Sequence, residues 1–274
     1  MANVPIRLGR PALELLDSAY CRCMRALRSA RRLFFPVVHC EVGGVHLEIG
    51  ISSESEHYRA ETYSTKEPET LAWLRQNLRD GDVLFDVGAN IGLYSLFAAK
   101  LRPSSRVYAF EPESHNFSSL CRNIILNKAA SVTPCCFPLS NREAFEMFYV
   151  YDLEPGSALH SLGTPSVLRK GPEALRQGTL GVTLDALVER HGLPHPSLLK
   201  LDVDGIEEKI LEGGTSVLRS SRLRSILVEV TSREGDGPSW AERRLAGHGF
   251  ALAGKSGWMV EIDGLQSRNY IFNR

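Results

Sequence analysis

The run Val83-Leu84-Phe85-Asp86-Val87-Gly88-Ala89-Asn90-Ile91-Gly92 decides how the rest of the chain is read. Four apolar residues around one aspartate form a short continuous run, as expected of a parallel strand buried on both faces. Gly88 and Gly92 then let the backbone turn tightly and approach a ligand with no Cβ in the way. Leu93, Leu96, Phe97 and Leu101 follow at helical spacing, and Pro103 stops the helix. A strand that turns through glycines into a helix opens a βα unit. In open α/β sheets the ligand crevice lies beyond the carboxyl ends of such strands.

Working outward, the alternation repeats. Arg106 to Phe110 reads as a second strand and Asn116 to Asn127 as a helix. Val132 to Leu139 is a third strand, and Ala144 to Tyr151 alternates like another. Thr183 caps a helix to His191, Ser197 to Val203 is a fourth buried strand, and Ile206 to Leu218 a helix. Arg224 to Val230 is a fifth strand and Trp240 to His248 a helix, with short strands at 250–253, 259–262 and 269–272 closing the sheet as an antiparallel hairpin. Repeated βα units predict right-handed crossovers and an α/β, doubly wound, mostly parallel sheet.

Upstream, residues 1–65 read as a cap of one helix and one β-hairpin, and 66–274 as the main domain. Pro11 to Phe35 is an amphipathic helix carrying Arg22, Arg25, Arg28 and Arg32 on one face, where peripheral contact with an anionic membrane is an alternative to a solvated stripe. Residues 152–180 carry few apolar anchors and several glycines and prolines, so they form a candidate lid.

The chain has 274 residues, 43% hydrophobic and 23% charged, with a formal net charge of zero. That balance supports a sizeable core and counts against a nucleic-acid binder that works by neutralising phosphates. Six cysteines occur without a C-x-x-C pair, so neither a zinc site nor a disulfide framework is expected, and Cys135 and Cys136 read as small core residues. No apolar run reaches the roughly 18 residues of a membrane span, and no secretory signal is seen, so a cytoplasmic protein is expected.

Three constellations carry chemistry. The first is the glycine turn itself. A pyrophosphate site of a nicotinamide enzyme would want G-x-G-x-x-G. Here the spacing is G-x-x-x-G, and a carboxylate at Asp86 opposes a diphosphate but suits a ligand bearing an ammonium and a sulfonium. The second is Phe110-Glu111-Pro112, where an acid at a strand end can accept two hydrogen bonds from a ribose diol. Glu111 supports a nucleoside without choosing between cofactors. The third is Leu199-Lys200-Leu201-Asp202-Val203-Asp204-Gly205. Alternation turns Lys200, Asp202 and Asp204 to one side, and buried charges must be paired or hydrogen-bonded. Asp202, Asp204 and His160 are the candidate bases, with Lys200 positioning a carboxylate or a substrate oxygen. Glu229 could join Asp202 and Asp204 around a divalent cation, but close-packed carboxylates without a metal serve equally well, so no metal is expected.

The stretches VLFDVGANIGLYSLFAA (83–99), VYAFEPESHNFSSLCRNIILN (107–127), GVTLDAL (181–187), LLKLDVDGIEEKILEGG (198–214) and ILVEV (226–230), with Asn269-Tyr270-Ile271-Phe272, resemble the FkbM-type methyltransferases. The resemblance covers about residues 66–273. It implies a class I methyltransferase sheet, S-adenosyl-L-methionine as cofactor, and a small-molecule or glycan acceptor such as the hydroxyl of a sugar, glycolipid or secondary metabolite. It further implies that Asp86, Gly88, Asn90 and Gly92 hold the methionine end, Glu111 the ribose, Leu139 and Ser140 the adenine side, that Ile91 and Pro112 also bind the cofactor, and that Asp202 lies near the transferred methyl. Asp204 departs from the family, which more often has Glu there. The rival readings are an NAD(P)-dependent oxidoreductase and a non-catalytic binding protein that keeps the fold.

Overall fold

A computed structural model of the chain describes residues 36–166, 169, 171–233, 239–257, 260–262 and 265–274, together with Tyr20, Arg22 and Cys23. Those three are helical. The rest of the Arg-rich helix expected over 11–35 lies outside the described residues.

The chain begins its described course with a hairpin, β1 (Val37–Val42) and β2 (Val45–Gly50), then helices α1 (Glu54–Thr62) and α2 (Pro68–Asn77). The βα alternation follows as expected: β3 (Val83–Val87), α3 (Leu93–Leu101), β4 (Arg106–Phe110), α4 (Ser114–Leu126) and β5 (Val132–Cys135). After an antiparallel excursion, β6 (Ala144–Val150), β7 (Ser161–Leu162) and β8 (Leu175–Gly181), the alternation resumes. Its second half is α5 (Leu184–Glu189), β9 (Leu198–Leu201), α6 (Glu207–Glu212), α7 (Thr215–Arg219), β10 (Ser225–Arg233), α8 (Trp240–Ala246), β11 (Ala251–Lys255), β12 (Val260–Ile262) and β13 (Leu265–Asn273).

The main sheet has the order β11-β13-β10-β9-β3-β4-β5, with β12 paired to β13. Pairings from β10 through β5 are parallel, and β13 enters antiparallel between β10 and β11. The chain order reverses at the boundary of β3 and β9, so the crevice for a ligand opens there. Period-two alternation gives the sheet two faces. Leu84, Leu198 and Leu227 face a core shared with the β1–β2 hairpin and α1 to α4. Phe85, Leu199 and Ile226 face a second core shared with α5 to α8. That is a doubly wound α/β sheet, as the repeated βα pattern predicts.

Several expectations need correction. The expected loop over 152–180 contains two strands that the sequence reading did not assign, β7 and β8, which flank β6 in a three-stranded antiparallel sheet. β8 is polar and half-solvated, so it lacks the apolar signature of a core strand. The helix expected over 206–218 breaks in two at Gly213-Gly214. A Cβ on Gly213 would lie 2.4 Å from the Ser140 carbonyl oxygen, so the backbone approaches too closely for a side chain. Cys136 is exposed and Cys135 only half-buried, because β5 is the outer strand of the sheet. Helix α1 had no counterpart in the sequence reading. Its signal was Ser53-Glu54-Ser55-Glu56, a serine cap with an acid three residues on; the Ser53 hydroxyl accepts the Glu56 N–H at 3.0 Å. Among the described residues no helix is long and apolar enough to cross a membrane.

Candidate functional site

At the carboxyl ends of β3, β4 and β9 the glycine turn closes by geometry that the sequence spacing foretold. Gly88 adopts φ +82° and Gly92 φ +92°. A Cβ on Gly88 would fall 1.8 Å from the Asp202 carbonyl oxygen, so the turn packs backbone against backbone and admits only glycine. Gly92 starts α3, and a Cβ there would strike Leu120. Asn90 is left-handed at φ +51° and donates its backbone N–H to Glu111 Oε2 at 2.8 Å.

These ends border a cavity of about 610 Å3, inside the usual range for small-molecule sites. Its walls include Gly88, Asn90, Glu111, Pro112, Asp202 and Asp204, so most of the predicted residues converge on it. Glu111 Oε1 accepts the Glu113 N–H at 2.8 Å, which leaves lone pairs on both carboxylate oxygens for a diol. Burial pushes the Glu111 carboxyl up to about 7, against the two backbone N–H groups that favour its charge. A small apolar side slot of about 30 Å3 lies between Phe110, Phe137, Leu139, Phe148 and Ile206. Ile91 borders a smaller recess beside the turn, with Lys66, Glu67, Tyr94 and Lys200. Ser140 borders none of these spaces. Its backbone N–H bonds Val182 and its hydroxyl bonds Glu146 at 3.3 Å.

Asp86 sits differently from the sequence reading. It is wholly buried and does not line the cavity, because strand alternation turns it toward α3. There its Oδ2 accepts the Ser95 hydroxyl at 2.5 Å, while Oδ1 lies 3.8 Å from Lys200 Nζ without a hydrogen bond. Burial raises the Asp86 carboxyl above its ordinary pKa, with Lys200 and Ser95 offsetting part of the rise. Lys200 is equally buried, 2.8 Å from Asp202 Oδ2 and under the Tyr94 ring at 5.2 Å. Burial would strip its proton, but Asp202 and then Asp86 outweigh that and raise its pKa. Asp202 is the partly exposed member of the trio. Burial opposes its charge, yet Lys200 holds its carboxyl below the ordinary range. Of this trio, Asp202 is the member that faces the cavity, with Lys200 and Asp86 beneath it.

Asp204 has φ +61°, uncommon for a residue with a Cβ, and its Oδ2 accepts the Leu159 N–H at 2.7 Å. Burial, reinforced by Asp202, pushes its carboxyl up to about 6. Glu207 fixes this bend by accepting the N–H groups of Val203 and Gly205 at 2.9 and 3.1 Å. Glu229 also lines the cavity. Burial and the neighbouring Asp202, Glu207 and Asp204 raise its carboxyl well above the ordinary range.

His160 borders the cavity and is fixed in place. It is buried, Nδ1 accepts the Tyr151 backbone N–H at 3.2 Å, and Nε2 lies 3.0 Å from the Ser157 hydroxyl. Burial lowers its pKa to about 4. A neutral ring whose acceptor nitrogen is already engaged has no lone pair left for a substrate proton. The Ser157 carbonyl in turn accepts from Asn90 Nδ2 at 2.8 Å and Asn116 Nδ2 at 3.1 Å, so the 152–160 segment is tied over the glycine turn. Among the described residues no group of three or more His, Cys, Asp and Glu is arranged to hold a metal ion.

The sequence reading missed Arg59, Lys66, Glu67, Asn116 and Ser157. They come from α1, α4 and connecting segments whose local pattern says nothing about a shared cavity.

Residues 86–252 match the model of the methyltransferase FkbM domain. The hexuronic acid methyltransferase AglP of Haloferax volcanii is 29% identical over 190 residues, 69% of this chain and 72% of that protein. The 31-O-demethyl-FK506 methyltransferase FkbM of Streptomyces tacrolimicus is 29% identical over 64% of this chain and 75% of its own. Methyltransferase 1 of Beauveria bassiana is 31% identical over 64% of this chain and 74% of its own.

Proposed function

The chain belongs to the FkbM family of methyltransferases, and on that premise we propose that it transfers a methyl group from S-adenosyl-L-methionine to a hydroxyl of a sugar, glycolipid or secondary metabolite. The observation that carries this reading is the convergence of a G-x-x-x-G turn, Glu111 and the charged Asp202 on one cavity. Each matches a part of the cofactor. Within the main cavity, Glu111 would accept the ribose diol, the adenine would lie toward the apolar side chains around Leu139, and the methionine end toward Ile91. Asp202 would face its positive charge. The relatives that act on a hexuronic acid and on the FK506 precursor support an oxygen-bearing small molecule as acceptor.

When bound, S-adenosylmethionine supplies a methyl group on a sulfonium, which leaves its electron pair on sulfur as the new bond to oxygen forms. What the chain must add is alignment, exclusion of water and a place for the hydroxyl proton. Alignment of reacting groups contributes on the order of 7–11 kcal/mol. Asp204 is the base that fits best. A carboxyl near 6 is ionised at neutral pH yet basic enough to take a proton in the transition state. Glu229 lines the same cavity, and burial with the neighbouring carboxylates raises its carboxyl and favours its hydrogen-bond-donating form. Lys200 acts through Asp202 by keeping it charged. The oxidoreductase reading is disfavoured because Gly88-Ala89-Asn90-Ile91-Gly92 offers no G-x-G-x-x-G cradle for a diphosphate.

Isothermal titration with S-adenosylhomocysteine tests the cofactor half. The native chain should bind it, and Gly88→Ala should lose that binding because its Cβ collides with the Asp202 carbonyl. Heat released by NADH but not by S-adenosylhomocysteine would overturn the assignment.

A further inference from the structure

Two side chains that precede the matched family segment reach the place where the recess at Ile91 adjoins the main cavity. Arg59 comes from α1, and Glu67 stands at the N-cap of α2. Both border the cavity and the recess alike, as do Lys66, Gly88, Asn90 and Asp202. The recess has a volume of about 40 Å3, more than the ~10–15 Å3 that seats one water but too little for a nucleoside. It suits one polar end of a ligand whose body lies in the main cavity. Asn90 links the two spaces, because its backbone N–H bonds Glu111 at 2.8 Å and the same residue borders the recess. The apolar side chains around Leu139 border none of it. With the ribose on Glu111 and the adenine toward Leu139, the recess is left to the substituent on the ribose 5′ carbon.

Glu67 is placed unusually for a helix start. A side-chain oxygen at an N-cap ordinarily accepts a helix N–H, but Glu67 makes no such bond. Its side chain is nonetheless only 7% exposed. The Thr70 hydroxyl and Lys66 Nζ each lie 3.4 Å away, longer than the roughly 2.7–2.9 Å of a charge-assisted bond. The Tyr94 phenol adjoins it, and burial and then Glu67 raise the pKa of that phenol. A buried carboxylate held this loosely gains from a closer donor.

Arg59 is arranged to match. Its Nε donates to the Gly156 carbonyl at 2.5 Å. Its charge is balanced through space, since it favours the ionised forms of Glu111, Asp202 and Asp204. Its two terminal nitrogens, however, have no hydrogen-bond partner among the described residues. The recess therefore sets Glu67 and Asp202 beside Arg59 and Lys66. An isolated anion there would meet the acids, and an isolated cation would meet the guanidinium. An α-amino-acid group carries an ammonium and a carboxylate on one carbon and satisfies both. Asp86 borders neither space, so direct contact with the ammonium falls to other acids.

We propose that Glu67 accepts the α-ammonium of the bound amino-acid moiety and that the Arg59 fork pairs with its α-carboxylate. Residues outside the matched family segment thus complete the cofactor site. This rests on the methyltransferase reading above and names the side chains that select its cofactor.

The test is calorimetric titration of the full chain with S-adenosylhomocysteine and three truncated thioethers. 5′-Methylthioadenosine lacks the amino-acid group, 5′-(3-aminopropylthio)-5′-deoxyadenosine lacks only the carboxylate, and 5′-(3-carboxypropylthio)-5′-deoxyadenosine lacks only the ammonium. In the native chain each truncation should weaken binding by roughly tenfold or more, the loss expected of a charge-assisted hydrogen bond. Glu67→Gln should weaken S-adenosylhomocysteine and the aminopropyl compound by a similar factor while the carboxypropyl compound stays within about twofold. Arg59→Gln should do the reverse and spare the aminopropyl compound. Unchanged affinity of both variants for 5′-methylthioadenosine shows that they fold. The proposal is overturned if the native chain binds all four ligands alike. It also falls if either variant weakens 5′-methylthioadenosine as much as S-adenosylhomocysteine, since that side chain would then serve only the fold. Failure of the native chain to bind either of those two ligands would instead sink the methyltransferase reading beneath it.

Discussion

Asp204 and Asp202 are two residues apart and meet opposite electrostatic fates. Lys200 at 2.8 Å holds Asp202 below the ordinary carboxylate range, whereas burial and the like-charged Asp202 outweigh the Leu159 N–H and the weaker pull of Arg59 and Lys66 on Asp204. This division separates the group that faces a cation from the group that takes a proton. The pH dependence follows from its sign. Burial raises Asp204 to about 6, so its carboxyl is protonated, and useless as a base, below that pH. With cofactor saturating, acceptor kcat/KM should fall about tenfold per unit as pH drops below 6. Asp204→Asn should lower kcat by roughly 10²–10⁴-fold and flatten that acid limb. His160, neutral down to about 4, cannot supply such a limb. An unchanged profile in Asp204→Asn would move the base elsewhere. The strained backbone at Asp204, φ +61°, is consistent with a residue kept for its position rather than its ease of folding.

At the scale of elements, the helices are held by different devices. Helix α8 has a full capping box: the Ser239 hydroxyl accepts the Glu242 N–H at 3.1 Å, and Glu242 Oε2 accepts the Ser239 N–H at 2.8 Å. Ser239→Ala should cost about 1 kcal/mol, read as a lower urea midpoint with an unchanged m-value, and should leave cofactor binding intact because α8 lies away from the cavity. The segment between β6 and β8 is braced by side-chain-to-backbone bonds instead, with Asn90, Asn116 and Asp204 all bonding its backbone. Three of its anchors thus come from elements that build the site. Order in this segment and order in the site are coupled.

For the whole molecule, that coupling predicts a ligand-dependent stability. S-adenosylhomocysteine at 100 times its Kd should stabilise the fold by about 2.7 kcal/mol, measurable as a raised urea midpoint. Protease protection of residues 152–174 should rise in parallel. Stabilisation without added protection would show that the segment orders independently of the ligand.

The doubly wound sheet, the glycine turn and the positions of Glu111, Asp202 and Asp204 were legible in the chain itself. Each depends on local rules: strand alternation, glycine at positive φ, and acids at strand ends. The destination of Asp86 was not legible. Period two fixes that it points away from Phe85 and Val87, but only the packing of α3 and β9 decided that Ser95 and Lys200 would close over it. The same limit hid Arg59 and Asn116 and the contacts that fix His160 beside Tyr151 and Ser157. Contacts across 40 to 67 residues, such as Asn116 to Gly156 or Asn90 to Ser157, are set by how cores pack, and no neighbouring pattern in the sequence records them.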